Sequence, residues 1–210
     1  SSRRWRLMCI RRRFLCVLAC CTLAGAVESI TAGSYHTCCL ADGVVKCWGF
    51  GGSGRLGYGD ETNRGVASGE MGDMLPAVDL GSATRVTRLD SGDAHNCAVT
   101  NIGGVKCWGS GGSGRLGYGD TVDRGGSSGG MGDNLPYLDL GAGVLAMLVS
   151  CGLDHTCVVL SSGDAKCWGG AGYGQIGYGD RADRGDADSD MGDNLPTLDV
   201  GVNRTVVQVV

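Results

Sequence analysis

Gly92-Asp93-Ala94-His95-Asn96-Cys97, then Lys106-Cys107-Trp108-Gly109, then Leu116-Gly117-Tyr118-Gly119-Asp120, then Met131-Gly132-Asp133-Asn134-Leu135-Pro136, is a stretch that this chain writes three times. The same series opens at Gly33 and again at Gly152. Trp48, Trp108 and Trp168 stand 60 residues apart, as do Pro76, Pro136 and Pro196. A fixed period of this length marks a repeat architecture, in which no unit buries its apolar face alone and neighbours must stack. The pattern turns attention from a single active site to a composite surface.

Within one repeat the punctuation is that of short strands. In the second, Arg85 to Leu89 is β-prone and runs into a Ser91-Gly92 turn, His95 to Thr100 is a second strand, and Gly104 to Trp108 a third. Leu135 to Leu140 reads as a fourth, with Pro136 favouring an edge where the ladder needs no N–H. Nothing has helical periodicity, and 40 glycines in 210 residues make helices costly and tight turns cheap. The fold class predicted is therefore all-β: β-propeller blades of about four antiparallel strands each. The repeats fall at about 30–85, 86–145 and 146–205, with Asn203 to Val210 aligning with the opening strand of another.

Six cysteines fall in matched pairs, Cys38 with Cys47, Cys97 with Cys107 and Cys157 with Cys167, at spacings of 9, 10 and 10. Each pair brackets a turn, and cross-strand neighbours in a hairpin lie within disulfide reach. A closed zinc site needs four ligands, whereas each repeat offers two Cys and one His, so a site would have to draw on neighbouring units. Disulfides are the leading reading and reduced structural thiols the alternative. Cys39 and Cys151 lack counterparts in the other repeats and are left open, as free or paired elsewhere.

The amino terminus has another character. Arg3, Arg4, Arg6 and Arg11 to Arg13 precede an apolar run from Phe14 to Ala24, and Ala24-Gly25-Ala26 suits a signal peptidase. Residues 1–26 read as a secretory signal and 27–210 as the propeller arc. A membrane anchor is the rival, but the run falls short of the roughly 20 apolar residues that a span requires; a lipoprotein signal at Cys20 fits Leu18 and Ala19 poorly. Removing the leader takes six of the 18 basic residues and none of the 22 acidic ones, leaving 12 against 22, a net of −10. So acidic a domain repels phosphate backbones, which sets nucleic acid aside as a partner. Secretion, with no stable membrane span, is the expectation.

The Gly-x-x-His-x-Cys, Lys-Cys-Trp-Gly and Leu/Ile-Gly-Tyr-Gly-Asp signatures together resemble the regulator of chromosome condensation repeat, and the resemblance covers the chain from about Ile30 onward. It implies a propeller, usually of seven blades, of which three repeats are a partial ring: part of a longer protein, or an arc completed by other chains. The cysteine pairs resemble an exported branch of that family, and the loop before Met-Gly-Asp is longer than its basic repeat requires. The resemblance also carries an alternative function, guanine-nucleotide exchange on a small GTPase, an intracellular activity that the leader and the cysteine pairs oppose.

No motif specifies chemistry. Gly49-x-Gly51-x-x-Gly54 and Gly109-x-Gly111-x-x-Gly114 satisfy a dinucleotide pattern, but no helix is predicted after them and Ala171 breaks the third copy. His36, His95 and His155 recur once per repeat and read as structural, bonding to the adjacent turn; the tryptophans read as inter-blade packing. Arg184-Gly185-Asp186 spells an adhesion tripeptide, but its register reads Arg64-Gly65-Val66 and Arg124-Gly125-Gly126 elsewhere, which marks drift at one position. Asp186, Asp188 and Asp190 alternate as in a calcium loop, yet Met191 and Thr197 stand where such a loop needs Gly and Glu, so at most a low-affinity cation site is expected there. The function predicted is thus a non-enzymatic recognition module without cofactor, binding a protein or glycan through the variable loops 61–70, 121–130 and 181–190. These carry Arg64 and Glu70, Asp123 and Arg124, and Asp183 and Arg184.

Overall fold

The computed structural model describes residues 26–209. The leader reading, on residues 1–26, therefore lies outside the described residues but for Ala26. Among the described residues, nine strands form three antiparallel sheets in strict sequence order: β1 (Val27–Ala32), β2 (His36–Ala41) and β3 (Val44–Gly49); β4 (Val86–Ser91), β5 (His95–Thr100) and β6 (Val105–Gly109); β7 (Ala146–Cys151), β8 (His155–Leu160) and β9 (Ala165–Gly169). Each sheet carries a register shift at the same place in its first strand, between Val27 and Ser29, Val86 and Arg88, and Ala146 and Leu148. A bulge repeated at one position bends and twists every blade alike. The only helical elements among the described residues are single 3₁₀ turns.

The expected fourth strand does not form a ladder. Leu135 to Leu140 and its counterparts run beside the third strand but share one backbone bond with it: Val78 N to Val45 O, Leu138 N to Val105 O and Leu198 N to Ala165 O, each 2.8 Å. Pro136 has no N–H to give, and the neighbouring C=O is taken by the Tyr118 hydroxyl at 3.1 Å. Each blade is thus a three-stranded sheet with an extended strap along its outer edge.

The core lies between blades rather than within them. Cys38, Leu40, Val45 and Leu56 of the first repeat pack with Val86, Leu89, Ala98, Trp108 and Leu135 of the second, bridged by Val78 and Leu80. Val99, Val105 and Leu116 of the second pack likewise with Val149, Val158, Trp168 and Leu195 of the third. Trp108 and Trp168 are fully buried, as expected of inter-blade packing. Backbone bonds repeat at the same joints: Val86 N to Gly43 O, Ala146 N to Gly103 O and Val206 N to Gly163 O, at 3.0, 2.8 and 2.7 Å. Val206 therefore holds the place of a further opening strand.

Stacking this close needs glycine at particular places. Gly54 and Gly114 adopt φ of +70° and +69°, and a Cβ on either would lie 2.1 to 2.3 Å from the backbone nitrogen of Gly126 or Asp186 in the next repeat. Gly174, the third member of the series, has the same conformation and meets nothing within 4 Å. Its chain neighbour Tyr173 is 98% exposed. Among the described residues, nothing covers this flank of the third blade at Gly174.

Candidate partner-recognition face

The loops that the sequence singles out are built on one device used three times. Arg64, Arg124 and Arg184 each make a two-pronged ion pair with the aspartate four residues earlier, Asp60, Asp120 and Asp180, at 2.8 to 3.0 Å. Each guanidinium also lies over a tyrosine ring, Tyr58, Tyr118 or Tyr178, with the ring centre 4.0 to 4.3 Å away. Each backbone pairs with Gly49, Gly109 or Gly169 as an isolated bridge. The arginine hydrogen bonds hold the Asp60 and Asp180 carboxyls down at about 2 and lower that of Asp120 as well. Such forked pairs fix geometry as well as adding attraction.

The tyrosines complete the clamp. The hydroxyls of Tyr58 and Tyr118 accept from the backbone N–H of Cys47 and Cys107, and lie 3.0 and 3.1 Å from the carbonyls of Pro76 and Pro136. Tyr178 makes the same pair with Cys167 and Pro196. The Leu/Ile-Gly-Tyr-Gly-Asp signature therefore ties the hairpin, the strap and the loop base together. Asp123 and Asp183 accept from the N–H of Gly111 and Ala171, each at 2.8 Å, as Asn63 does from Gly51 at 2.9 Å. Glu70 accepts from Val66 and Ala67, closing the first loop tip. The loops are also pinned across blades, through Gly59 N to Gly125 O and Gly119 N to Gly185 O, at 2.9 and 3.0 Å. What remains outward between these anchors is variable: Val66, Ala67 and Ser68; Val122, Ser127 and Ser128; Ala182, Asp186, Ala187 and Asp188.

Of the acidic trio in the third loop, Asp190 turns back to accept from Ala187 N at 3.2 Å. Asp186 is raised, first by desolvation and then by a hydrogen bond shared with Asp190, as expected of crowded carboxyls. Arg184 of the adhesion-like tripeptide is held in its ion pair, and the dinucleotide-like glycines lead into one 3₁₀ turn.

The disulfides are as the spacing predicts. Cys38–Cys47, Cys97–Cys107 and Cys157–Cys167 join directly opposed residues of the second and third strands of each blade. Of the two cysteines left open, Cys39 is also disulfide-bonded and Cys151 is a free thiol.

Two of the three histidines depart from expectation in their partners, while His155 stays beside Asp154 of its own turn, with Nδ1 3.7 Å from Oδ1. His36 Nε2 bonds Asn96 Oδ1 at 2.8 Å and His95 Nε2 bonds Thr156 Oγ1 at 2.9 Å, so each reaches across to the next blade rather than to its own turn. Asn96 Nδ2 and Thr156 Oγ1 in turn donate to the carbonyls of Arg55 and Arg115 in the blade before, at 2.7 and 2.9 Å. The second strand thus forms a buried polar seam within an apolar interface. Burial drives the His95 ring down to about 3 and lowers His36. Neither ring is charged at neutral pH.

Two further roles had no assignment in the sequence. Lys106 and Lys166, in Lys-Cys-Trp-Gly, are buried and donate to paired carbonyls, Leu80 and Gly132 or Leu140 and Gly192, at 2.7 to 3.0 Å. Asp133 and Asp193, in Met-Gly-Asp, accept from Ser82 and Ala142 of the preceding repeat at 3.0 Å. A lysine recurring inside a buried strand, and an acid fixed after Met-Gly, were the available signals.

Stacked three-stranded blades with a repeated loop clamp define a propeller-repeat protein. Residues 86–115 and 148–175 match the regulator of chromosome condensation repeat, so the chain carries repeats of that family. Similar relatives include the ultraviolet-B receptor UVR8 of Arabidopsis thaliana, 34% identical over 75% of this chain and 33% of its own length. Human E3 ubiquitin-protein ligase HERC2 is 33% identical over 73% of this chain but only 3% of its own length. The chain thus spans a third or less of these two relatives. Among solved structures, human WBSCR16 superposes with a TM-score of 0.59 at 21% identity, over 78% of this chain and 40% of that one. Yeast RCC1 (Prp20), in its structure bound to Kap60, gives 0.55 at 22% identity, over 75% and 32%. These likenesses carry the fold.

Proposed function

We propose that this arc is a non-enzymatic, exported module that recognises another protein through loops 61–70, 121–130 and 181–190. The observation that carries the reading is the division of labour inside each loop. Arg64, Arg124, Arg184, Asp123, Asp183 and Glu70 fix the loop backbone, and the residues between them vary and face outward. Loops that differ on a frame that does not are the usual way a repeat array presents a composite binding surface. That yeast RCC1 is seen bound to Kap60 supports a protein partner over a glycan. The hairpin disulfides suit an oxidising compartment, and no helix among the described residues is long and apolar enough to cross a membrane. The exchange-factor alternative requires a reducing, intracellular setting, which the disulfides oppose.

The test has two arms. A tagged full-length protein is expected outside the cytosol, and a predominantly cytosolic or nuclear pool would favour the exchange-factor reading. Once a partner is captured, Val66→Asp, Val122→Asp and Ala182→Asp together are expected to abolish binding while folding shifts by no more than about 0.5 kcal/mol, the usual range for exposed sites. Undiminished binding by the folded triple variant would place the interface elsewhere.

A further inference from the structure

Cys151, at the end of β7, occupies the place that Ala32 holds in β1 and Ser91 in β4, opposite Thr156, Thr37 and Asn96 respectively. Its thiol faces backwards across the seam into the second blade, 3.6 Å from the carbonyl oxygen of Asp90, while its N–H donates to the Asp90 carboxylate at 2.8 Å. The Cys151 sulfur, the Cys97 sulfur and a ring nitrogen of His95 lie within 4.8 Å of one another. The Thr156 hydroxyl sits among them, 2.9 Å from His95 Nε2 and 3.8 Å from Cys97 Sγ. Three such ligands would ordinarily suggest a metal, but Cys97 is already bonded to Cys107 and has no thiolate to offer. A thiol held beside a disulfide has a different chemistry open to it, that of exchange.

We infer that Cys151 and the Cys97–Cys107 disulfide form an intramolecular thiol–disulfide exchange site across the seam between the second and third blades. The step balances within the chain. Cys151 gives its proton to water and its thiolate attacks Cys97 Sγ; the Cys97–Cys151 bond forms as Cys97–Cys107 breaks, and Cys107 departs as a thiolate that takes up a proton. One disulfide and one thiol are present before and after, so no oxidant or reductant is consumed.

The two bonds do different work. Cys97–Cys107 staples one hairpin and closes a ring over 10 positions, whereas Cys97 and Cys151 are 54 positions apart and belong to different blades. The exchanged bond makes a non-covalent seam covalent and restrains the unfolded chain over a longer loop. Burial pushes the Cys151 thiol well above its ordinary range, which keeps the resting fold in the Cys97–Cys107 form. Opening of the seam is what releases the exchange. The seam between the first and second blades has Ser91 in this place and lacks the nucleophile.

Two measurements decide it. Full-length protein carrying Cys107→Ser, air-oxidised and mapped without reduction, is expected to yield a Cys97–Cys151 peptide while Cys157–Cys167 stays intact as the report on folding. Both sulfurs remaining open to alkylation in that folded variant would overturn the inference. Should Cys107→Ser fail to fold, the wild-type chain decides: in mild urea with a trace of reduced glutathione, Cys107 should become alkylated at least about tenfold more than in Cys151→Ser, with the Cys97–Cys151 peptide rising in step. Alkylation of wild type confined to Cys151 would equally overturn it.

Discussion

Acidification from pH 7.5 to 5 should weaken this fold through His95 before the clamp aspartates Asp60 and Asp180 contribute. The ring is fully buried in the seam and titrates at about 3, against 6.5 in the unfolded chain. The sign follows from proton counting: below 6.5 the unfolded chain binds a proton that the native state refuses, so stability falls as pH falls. At pH 5 the gap from 6.5 is 1.5 pH units, which at 1.36 kcal/mol per unit costs about 2 kcal/mol; the result barely depends on whether the native value is two or four. His36 adds to the same loss, since its burial also lowers it. The Asp60 and Asp180 pairs act in another window. Their carboxyls are depressed to about 2, so their contribution is complete above the unfolded value of 3.8 and is lost only below it. The assay is urea unfolding followed by the fluorescence of the buried Trp108 and Trp168, for wild type and His95→Gln at both pH values. Wild type should lose about 2 kcal/mol or more, a large share of a typical folding free energy, and His95→Gln should lose about 2 kcal/mol less. A His95→Gln protein with the full wild-type pH dependence would refute the assignment of the cost to this seam.

Three other outcomes test the frame. Gly114→Ala should cost several kcal/mol and Gly174→Ala only the ~1 kcal/mol of left-handed strain, because the first Cβ strikes Asp186 N at 2.3 Å and the second meets open space; equal melting shifts would show that the blades do not stack as described. Tyr118→Phe should lose about 1 to 3 kcal/mol by stranding the Cys107 N–H, read by chemical denaturation, and a neutral effect would remove the tyrosine from the clamp. Residues 27–210 expressed alone should self-associate in sedimentation through the uncovered third-blade face, and a stable, strictly monomeric species would refute that face as an exposed stacking surface.

Much of this was legible because repetition acts as an internal control. Three copies of one spacing located the hairpins, and the cysteine pairs followed from the hairpins, since both depend on residues within about a dozen positions of each other. Where the structure departed from the reading, the determining partner lay from 18 to 61 positions away. Leu135 to Leu140 has the composition of a strand, but whether it joins a ladder depends on Pro136 and on a tyrosine hydroxyl that takes a carbonyl in the strap. His95 recurs beside a glycine turn, and the turn was the nearest partner to name; its actual partner, Thr156, is 61 positions on. Lys106 likewise spans 26 positions to each of its acceptors.

The same distinction separates frame from surface. Arg64, Arg124 and Arg184 sit in loops, are polar, and recur, which are the marks of binding residues; in the fold each is half-buried and held by an aspartate, a tyrosine face and a backbone bridge. A loop held at its base by so many bonds keeps little conformational freedom, so ordering it on binding costs little entropy. Variation at Val66, Val122 and Ala182 then changes what a partner meets without changing how the loop is held. Constancy at the arginines therefore reports the rigidity that recognition needs, and difference at the positions between them is where specificity can reside.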